Sequence, residues 1–310
     1  MIIEKMKKIL LGNEALDVKK ISDLIEEDEF SKALLLVNQK LKENRDSAVL
    51  WLLKAMALFE LERYSEALFA SQKAPELDPD FKEAWLVIGP CFGMLEQMEE
   101  AISAYDKTIE FFPKDIAGYL GKSEALSYLE KNELAEQTIL KALEIDPEDI
   151  DSLEMYSEIL SGMEKYVKSI EILDKILELD PDDQDSLVSK SHELMQLKKF
   201  QEAIDVTEQV LEKNPEDDIA LANKGESLFE LGRNELALDF IDRSLDTDST
   251  NDETWYQRAR ICSQMNRTED ALDALLVSTS IFPDNKELAK DDETFSSMKN
   301  EKRFQKIVGE

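Results

Sequence analysis

Proline recurs in this chain at a fixed interval. Pro79, Pro113, Pro147, Pro181 and Pro215 stand 34 residues apart, and two more steps, passing Ser249, reach Pro283. Six of the eight prolines share this phase, and Pro75 and Pro90 do not. Other columns keep the same step: Trp51, Trp85, Tyr119, Leu153, Leu187, Leu221 and Trp255; Ala67, Ala101, Ala135, Ser169, Ala203, Ala237 and Ala271; and the small residues Ala55, Gly89, Ser123, Ser157, Ser191, Gly225 and Ala259. Seven contiguous units therefore span 48–81, 82–115, 116–149, 150–183, 184–217, 218–251 and 252–285. One step back, 14–47 reads as a degenerate eighth, with Phe30 in register with Tyr64 and Ala33 with Ala67. Such a period demands units that bury their apolar faces against one another rather than around one centre.

Each unit predicts two helices, roughly at positions 2–14 and 18–30, joined by a short turn. Few glycines and the scarcity of β-branched, aromatic strands exclude a sheet, so the fold class is all-α. The small column and the alanine column mark close helix approach. The proline ends the second helix, and Asp115, Asp149, Asp183, Asp217 and Asn251 are placed to cap the next one. Ile2, Ile3, Met6, Ile9 and Leu10 predict a short amphipathic helix over 1–13, stopped by Gly12. At the other end, Leu288, Phe295, Met298, Phe304 and Ile307 predict capping helices within 286–310. Pro90 falls inside a predicted first helix, in the stretch GPCFG. The neighbouring units hold that segment helical, with a local bend near 86–90.

These columns, together with linkers of the LELDPDD type, resemble the tetratricopeptide repeat (TPR) family over about 14–285. The resemblance implies a right-handed α-solenoid of tandem helix-turn-helix repeats, with terminal capping helices. It also implies that the first helix of each repeat lines a concave groove for a peptide or protein segment. Family geometry then puts positions 2, 5, 9, 12 and 13 on that face: Leu52, Met56, Phe59, Leu86, Met94, Leu120 and Tyr128 as an apolar half, and Asp151, Glu154, Glu158, Asp185 and His192 as a polar, mainly acidic half. Some family members clamp acidic chaperone tails with Lys, Asn and Arg. Here position 5 lacks lysine and position 9 lacks asparagine, so that partner class is excluded.

Charge narrows the rest. The formal net charge is −32, which disfavours nucleic acid and anionic membrane surfaces as partners. No apolar run reaches the length of a membrane span, and the first residues lack a signal-peptide core, so a cytoplasmic location is expected. Cys91 and Cys262 are too few for a disulfide framework. Cys91 has no base nearby in sequence and reads as core; the single His192 has no companion ligands; and Asn266-Arg267-Thr268 reads as a chance sequon. The acidic stretches at 180–186 and 246–252 lack the glycine and glutamate of a calcium loop and read as helix caps. No cofactor or metal is expected. The chain reads as a non-enzymatic scaffold whose partner offers apolar anchors and basic residues. The rival reading is an acidic, chaperone-like holder of basic, nucleic-acid-binding proteins.

Overall fold

The computed structural model describes residues 14–309, so the helix expected over 1–13 lies outside the described residues. Among the described residues there are 18 α-helices, two 3-10 turns and no strand. The chain forms two compact units, Met1–Met163 and Glu164–Glu310. The first contains α1 (Glu14–Glu26), α2 (Phe30–Glu43), α3 (Ala48–Glu60), α4 (Tyr64–Leu77), α5 (Trp85–Met94), α6 (Met98–Phe111), α7 (Ile116–Tyr128), α8 (Asn132–Ile145) and α9 (Ile150–Gly162). The second contains α10 (Tyr166–Leu179), α11 (Gln184–Gln196), α12 (Phe200–Lys213), α13 (Asp218–Glu230), α14 (Asn234–Thr247), α15 (Asp252–Gln264), α16 (Thr268–Ile281), α17 (Asn285–Asp291) and α18 (Lys302–Val308). Within each unit every helix packs on the next. The first helices of successive hairpins also touch, α1 to α3 to α5 to α7 to α9 in the first unit and α11 to α13 to α15 in the second.

Local chemistry sets the hairpin boundaries. The side chains of Ser47, Asp115, Asp149, Asp183, Asp217 and Asn251 each accept a hydrogen bond from an amide two or three residues into the following helix, at 2.9–3.4 Å. This satisfies one of the helix's orphan donors. The same column holds Phe81 before α5, which has no acceptor to offer. There the first turn is a 3-10 turn, Lys82–Ala84, and α5 runs for 10 residues rather than the 13 of its counterparts. Between the two helices of each hairpin, Asp28, Glu62, Glu96, Glu130, Glu164, Lys198, Gly232 and Asn266 all have positive φ, from 56° to 74°. The turn needs a left-handed residue at this position, and most of these side chains adopt it against their intrinsic preference.

The linkers are tied as well. The carboxylates of Asp78, Asp146, Asp180 and Asp248 each accept the amide two residues on, at 2.8–3.1 Å. The acidic linkers thus use one carboxylate to shape the turn and a later one, or Asn251, to cap the helix. Trp51 and Trp255 donate their indole N–H to the carbonyls of Arg45 and Ser249, at 2.8 and 2.9 Å, and the Tyr119 hydroxyl donates to that of Pro113 at 3.2 Å. At Trp51, Tyr119 and Trp255 the aromatic column therefore does more than fill space: it holds the linker six residues upstream, a bond that Trp85 does not make. Where the column has leucine, this latch is missing.

Helix α5 remains continuous across Pro90, and α4 across Pro75. The Gly89 of GPCFG has a packing cause. A Cβ there would lie 2.7 Å from the Tyr105 ring, and one on Gly121 would lie 2.2 Å from it. The Tyr105 side chain on α6 fills the space left by two glycines, on α5 and α7, and is buried. In the second unit Gly225 plays the same part for Ile241, 2.7 Å from where its Cβ would be. Further on, Phe295, Met298, Phe304 and Ile307 are buried in the core of the second unit, where the 3-10 turn Glu293–Phe295 packs on α15 and α18 packs on α16.

Candidate protein-binding surface

In the first unit the row α3, α5, α7 and α9 carries ten of the residues expected to line a groove. Leu52 and Leu86 do not line it: they are 0% and 7% exposed. Leu52 is enclosed in the cluster built by α1 to α6, and Leu86 is covered as α5 packs between α3 and α7. At these two helices the neighbours before and after in the row cover position 5, whereas the position-5 residues Leu120 and Glu154 on α7 and α9 stay half-buried. Met56, Phe59 and Leu120 are half-buried, with Phe59 edge-on to Tyr64 at 5.3 Å between ring centres. Met94 and Tyr128, both at position 13, stand free at 52% and 59% exposure. Asp151 is exposed and Glu154 half-buried. Glu158 is exposed on α9, one repeat along from the exposed Glu124 on α7. Partial desolvation, and then the charge of Glu124, push the Glu158 carboxyl above its ordinary range. Among the described residues neither glutamate has a cation within ion-pair distance. The face thus combines two exposed apolar side chains with two mutually repelling carboxylates.

In the second unit Asp185 and His192 are exposed on α11, with the Gln196 amide nitrogen 3.3 Å from the His192 ring. The same unit holds a network at Arg260 on α15. Its guanidinium donates to Gln257 at 2.8 Å and to Glu230 at 3.3 Å, lies 3.3 Å from the Asp292 carboxylate and stacks 5.0 Å from the Phe229 ring centre. Tyr256 donates to Asp292 at 3.2 Å, and burial, then the charge of Asp292, push its phenol up. Glu226, on α13, sits largely desolvated among these groups. Burial, then Glu253 and Glu230, push its carboxyl up to about 7 against the pull of Arg260 and Gln257.

Nothing in this arrangement activates a nucleophile. Cys91 is fully buried and burial pushes its thiol up to about 12, while Cys262 is buried with its thiol also pushed up. No group of three potential metal ligands converges among the described residues, and none of the described helices is long and apolar enough to cross a membrane.

Three family models match the chain. The N-terminal TPR repeats region of Psidin matches residues 17–120, and tetratricopeptide repeat models match 116–149 and 189–252. The chain belongs to the tetratricopeptide repeat family. Similar solved structures are TPR proteins too. One from Parabacteroides merdae superposes with a TM-score of 0.67 at 16% identity, over 84% of this chain and 98% of that one. The APC/C hetero-tetramer Cut9–Hcn1 gives 0.61 at 15% identity, over 98% of this chain but 58% of the matched one. YrrB, described as a TPR protein with an unusual peptide-binding site, gives 0.50 at 19% identity, over 60% of this chain and 95% of its own. Identities this low establish the shared fold. No curated protein matches the chain in sequence.

Three features of this TPR chain escaped the sequence reading. The Tyr105 wedge was legible only as two glycines, Gly89 and Gly121, in unrelated columns. The Arg260 network depends on Asp292, beyond the last repeat. The third is a set of ion pairs from the first helix of one repeat back to the second helix of the preceding one. Lys122 meets Asp106 at 2.6 Å in the first unit; Lys190 meets Asp174 at 2.5 Å, Lys224 meets Glu208 at 2.9 Å and Arg258 meets Asp242 at 2.7 Å in the second. A column of opposite charges 16 residues apart is its sequence signal.

Proposed function

We propose that this TPR chain is a non-enzymatic protein-interaction scaffold whose first unit receives a basic, amphipathic segment of a partner protein. The observation that carries the reading is the pair Glu124 and Glu158, without a cation partner among the described residues, beside exposed Met94 and Tyr128. Like charges on one face repel and raise the energy of the empty surface, and a lysine or arginine laid between them relieves that repulsion. The two apolar side chains supply anchors that lose water on contact. Peptide binding by a protein of the same fold, YrrB, supports the class of ligand. Met56, Phe59 and Leu120 contribute their exposed edges, and Asp151 and Glu154 extend the acidic side.

A labelled helical peptide of alternating leucine and lysine faces is the probe. The full chain should bind it in preference to its leucine–glutamate counterpart. Glu124→Lys with Glu158→Lys should weaken binding by about tenfold or more and flatten its salt dependence, because charge at an interface sets encounter and specificity. Met94→Asp should act mainly by speeding dissociation. Equal affinity for polylysine without leucines, lost entirely at high salt, would favour the charge-driven holder instead. Unchanged binding after the double reversal would remove this face from the mechanism.

A further inference from the structure

Successive second helices leave a furrow between them, floored by the first helix that they flank. In the first unit α6 and α8 border one of about 590 Å³ over α7, and in the second unit α10 and α12 border one of about 490 Å³ over α11. Helix α7 turns Tyr119, Lys122 and Leu126 into its furrow. Glu124 lies about half a turn round the same helix from Lys122, so the furrow is a separate surface from the face that carries Glu124 and Tyr128.

The two furrows share a place in the repeat and differ in charge. Lys122, Lys131 and Lys141 line the first against Asp106 alone, whereas Lys190 and Lys199 line the second against Glu171, Asp174, Glu202 and Asp205. The first furrow is thus net positive in a chain of net charge −32. One residue sets its free charge. Arg63, Lys199 and Arg267 each stand just before the second helix of a repeat and pair with the carboxylate three residues on: Glu66 at 2.7 Å, Glu202 at 3.0 Å and Asp270 at 3.9 Å. Lys131 holds the same repeat position, but Leu134 stands where the carboxylate would. Among the described residues Lys131 has no carboxylate within ion-pair distance, and Leu134 is 51% exposed. A free ammonium and a free leucine therefore lie one turn apart on α8, with half-buried Ile102 and Ile109 on α6 across the furrow.

We propose that this furrow docks an acidic amphipathic helix of a partner protein. Its carboxylates take the place beside Lys131 that Leu134 leaves vacant, and its apolar face covers Leu134, Ile102 and Ile109. Helices α6 and α8 each have 14 residues, about 21 Å of length, so three to four turns of a ligand helix fit along them. The chain's overall charge opposes an acidic ligand at long range. At physiological salt the screening length is about 8 Å, and the nearby lysines then decide the sign of the contact. This contact is weaker than that of a basic segment on the first-helix face and does not depend on it, so the chain can hold two partners of opposite charge.

The test titrates a nitroxide-labelled leucine–glutamate helical peptide into the full chain at physiological salt. Isoleucine methyl resonances report where it sits. The label should broaden Ile102 and Ile109 and leave Ile170, which lines the furrow between α10 and α12, sharp. Leu134→Glu gives Lys131 the partner that Arg63 and Lys199 have and removes the leucine. It should weaken the peptide by about tenfold or more, abolish the broadening and leave the melting temperature unchanged. Lys131→Glu should weaken the peptide through charge alone. The leucine–lysine peptide should bind the Leu134→Glu chain as it binds the natural one. Broadening of Ile170 equal to that of Ile102, or an affinity that neither substitution changes, would overturn the proposal. So would equal binding of polyglutamate without leucines, or a matching loss of the leucine–lysine peptide in Leu134→Glu.

Discussion

Helices α5 and α13 occupy the same place in their repeats and are built by different rules. Asp217 caps α13, which runs regularly for 13 residues. Phe81 precedes α5, which starts through a 3-10 turn, carries Pro90 and runs for 10 residues. Both place a glycine at the small column, and both put a bulky side chain from the second helix against it, Tyr105 for Gly89 and Ile241 for Gly225. The difference lies in the partner. Ile241 is flexible and meets one glycine, whereas the rigid Tyr105 ring is held by glycines on two helices. A helix that loses its cap and an internal hydrogen bond can therefore persist where tertiary packing over-determines it.

The sharpest way to break this comparison is Gly121→Ala. Its Cβ would overlap a ring that Gly89 prevents from retreating, and a loss of about 3 kcal/mol is expected. Gly225→Ala should cost less, about 1–2 kcal/mol, because Ile241 can change rotamer. Denaturant midpoints of both variants measure the contrast, and equal losses would show that the wedge confers nothing special. The double variant Gly121→Ala with Tyr105→Leu should recover part of the loss.

Pro90→Ala comes next. It restores the amide that the Leu86 carbonyl lacks, and should raise stability by about 1–3 kcal/mol. An unchanged or lower melting temperature would mean that the α5 backbone is already set for proline, and that the packing around Tyr105 depends on it.

On the α13 side, Glu226→Gln probes the half-buried carboxyl. Because its folded pKa is about 7 against an ordinary 4.5, the folded chain keeps a proton that the unfolded chain has released over that window. Stability therefore falls as pH rises from 4.5 through 7. The glutamine variant should exceed the natural chain by about 1–2 kcal/mol at pH 8, and the gap should close towards pH 5. Parallel melting curves at both pH values would contradict this.

The smallest effect is expected at the turns. Glu130→Gly, at φ 56°, should stabilise by about 0.5–1 kcal/mol, while Gly232→Ala at the equivalent turn should destabilise by a similar amount. Opposite signs at the same repeat position would show that the backbone, rather than side-chain contact, sets the preference.

The repeating architecture was legible because proline, small-residue and cap columns each report a local backbone need that recurs every 34 residues. Asp149 or Asp183 reads as a cap from sequence and caps in the structure. The site was less legible. Leu52 and Met94 are both apolar and both fall at positions assigned to the same face, yet one is enclosed and the other free. Periodicity locates a residue on its helix but not how deeply its neighbours cover it. Tyr105 was missed for a related reason: its fit depends on Gly89 and Gly121, which occupy different columns, so no single column records it. The left-handed turns hid behind glutamates, where only Gly232, Asn266 and Asp28 give the usual signal.

The pairs of lysine or arginine with a carboxylate 16 residues back have a mechanical consequence. Each joins one repeat to the one before it and to no other, as do the hairpin contacts. Drawn out from its ends, the second unit offers, among the described residues, no ion pair that spans several repeats to fail at once; it peels. Each yielding repeat frees 34 residues, or roughly 110 Å of slack. A tensile trace of the second unit should therefore rise and drop in steps of about that length, giving the protein the compliance of a series spring rather than the brittleness of a single core.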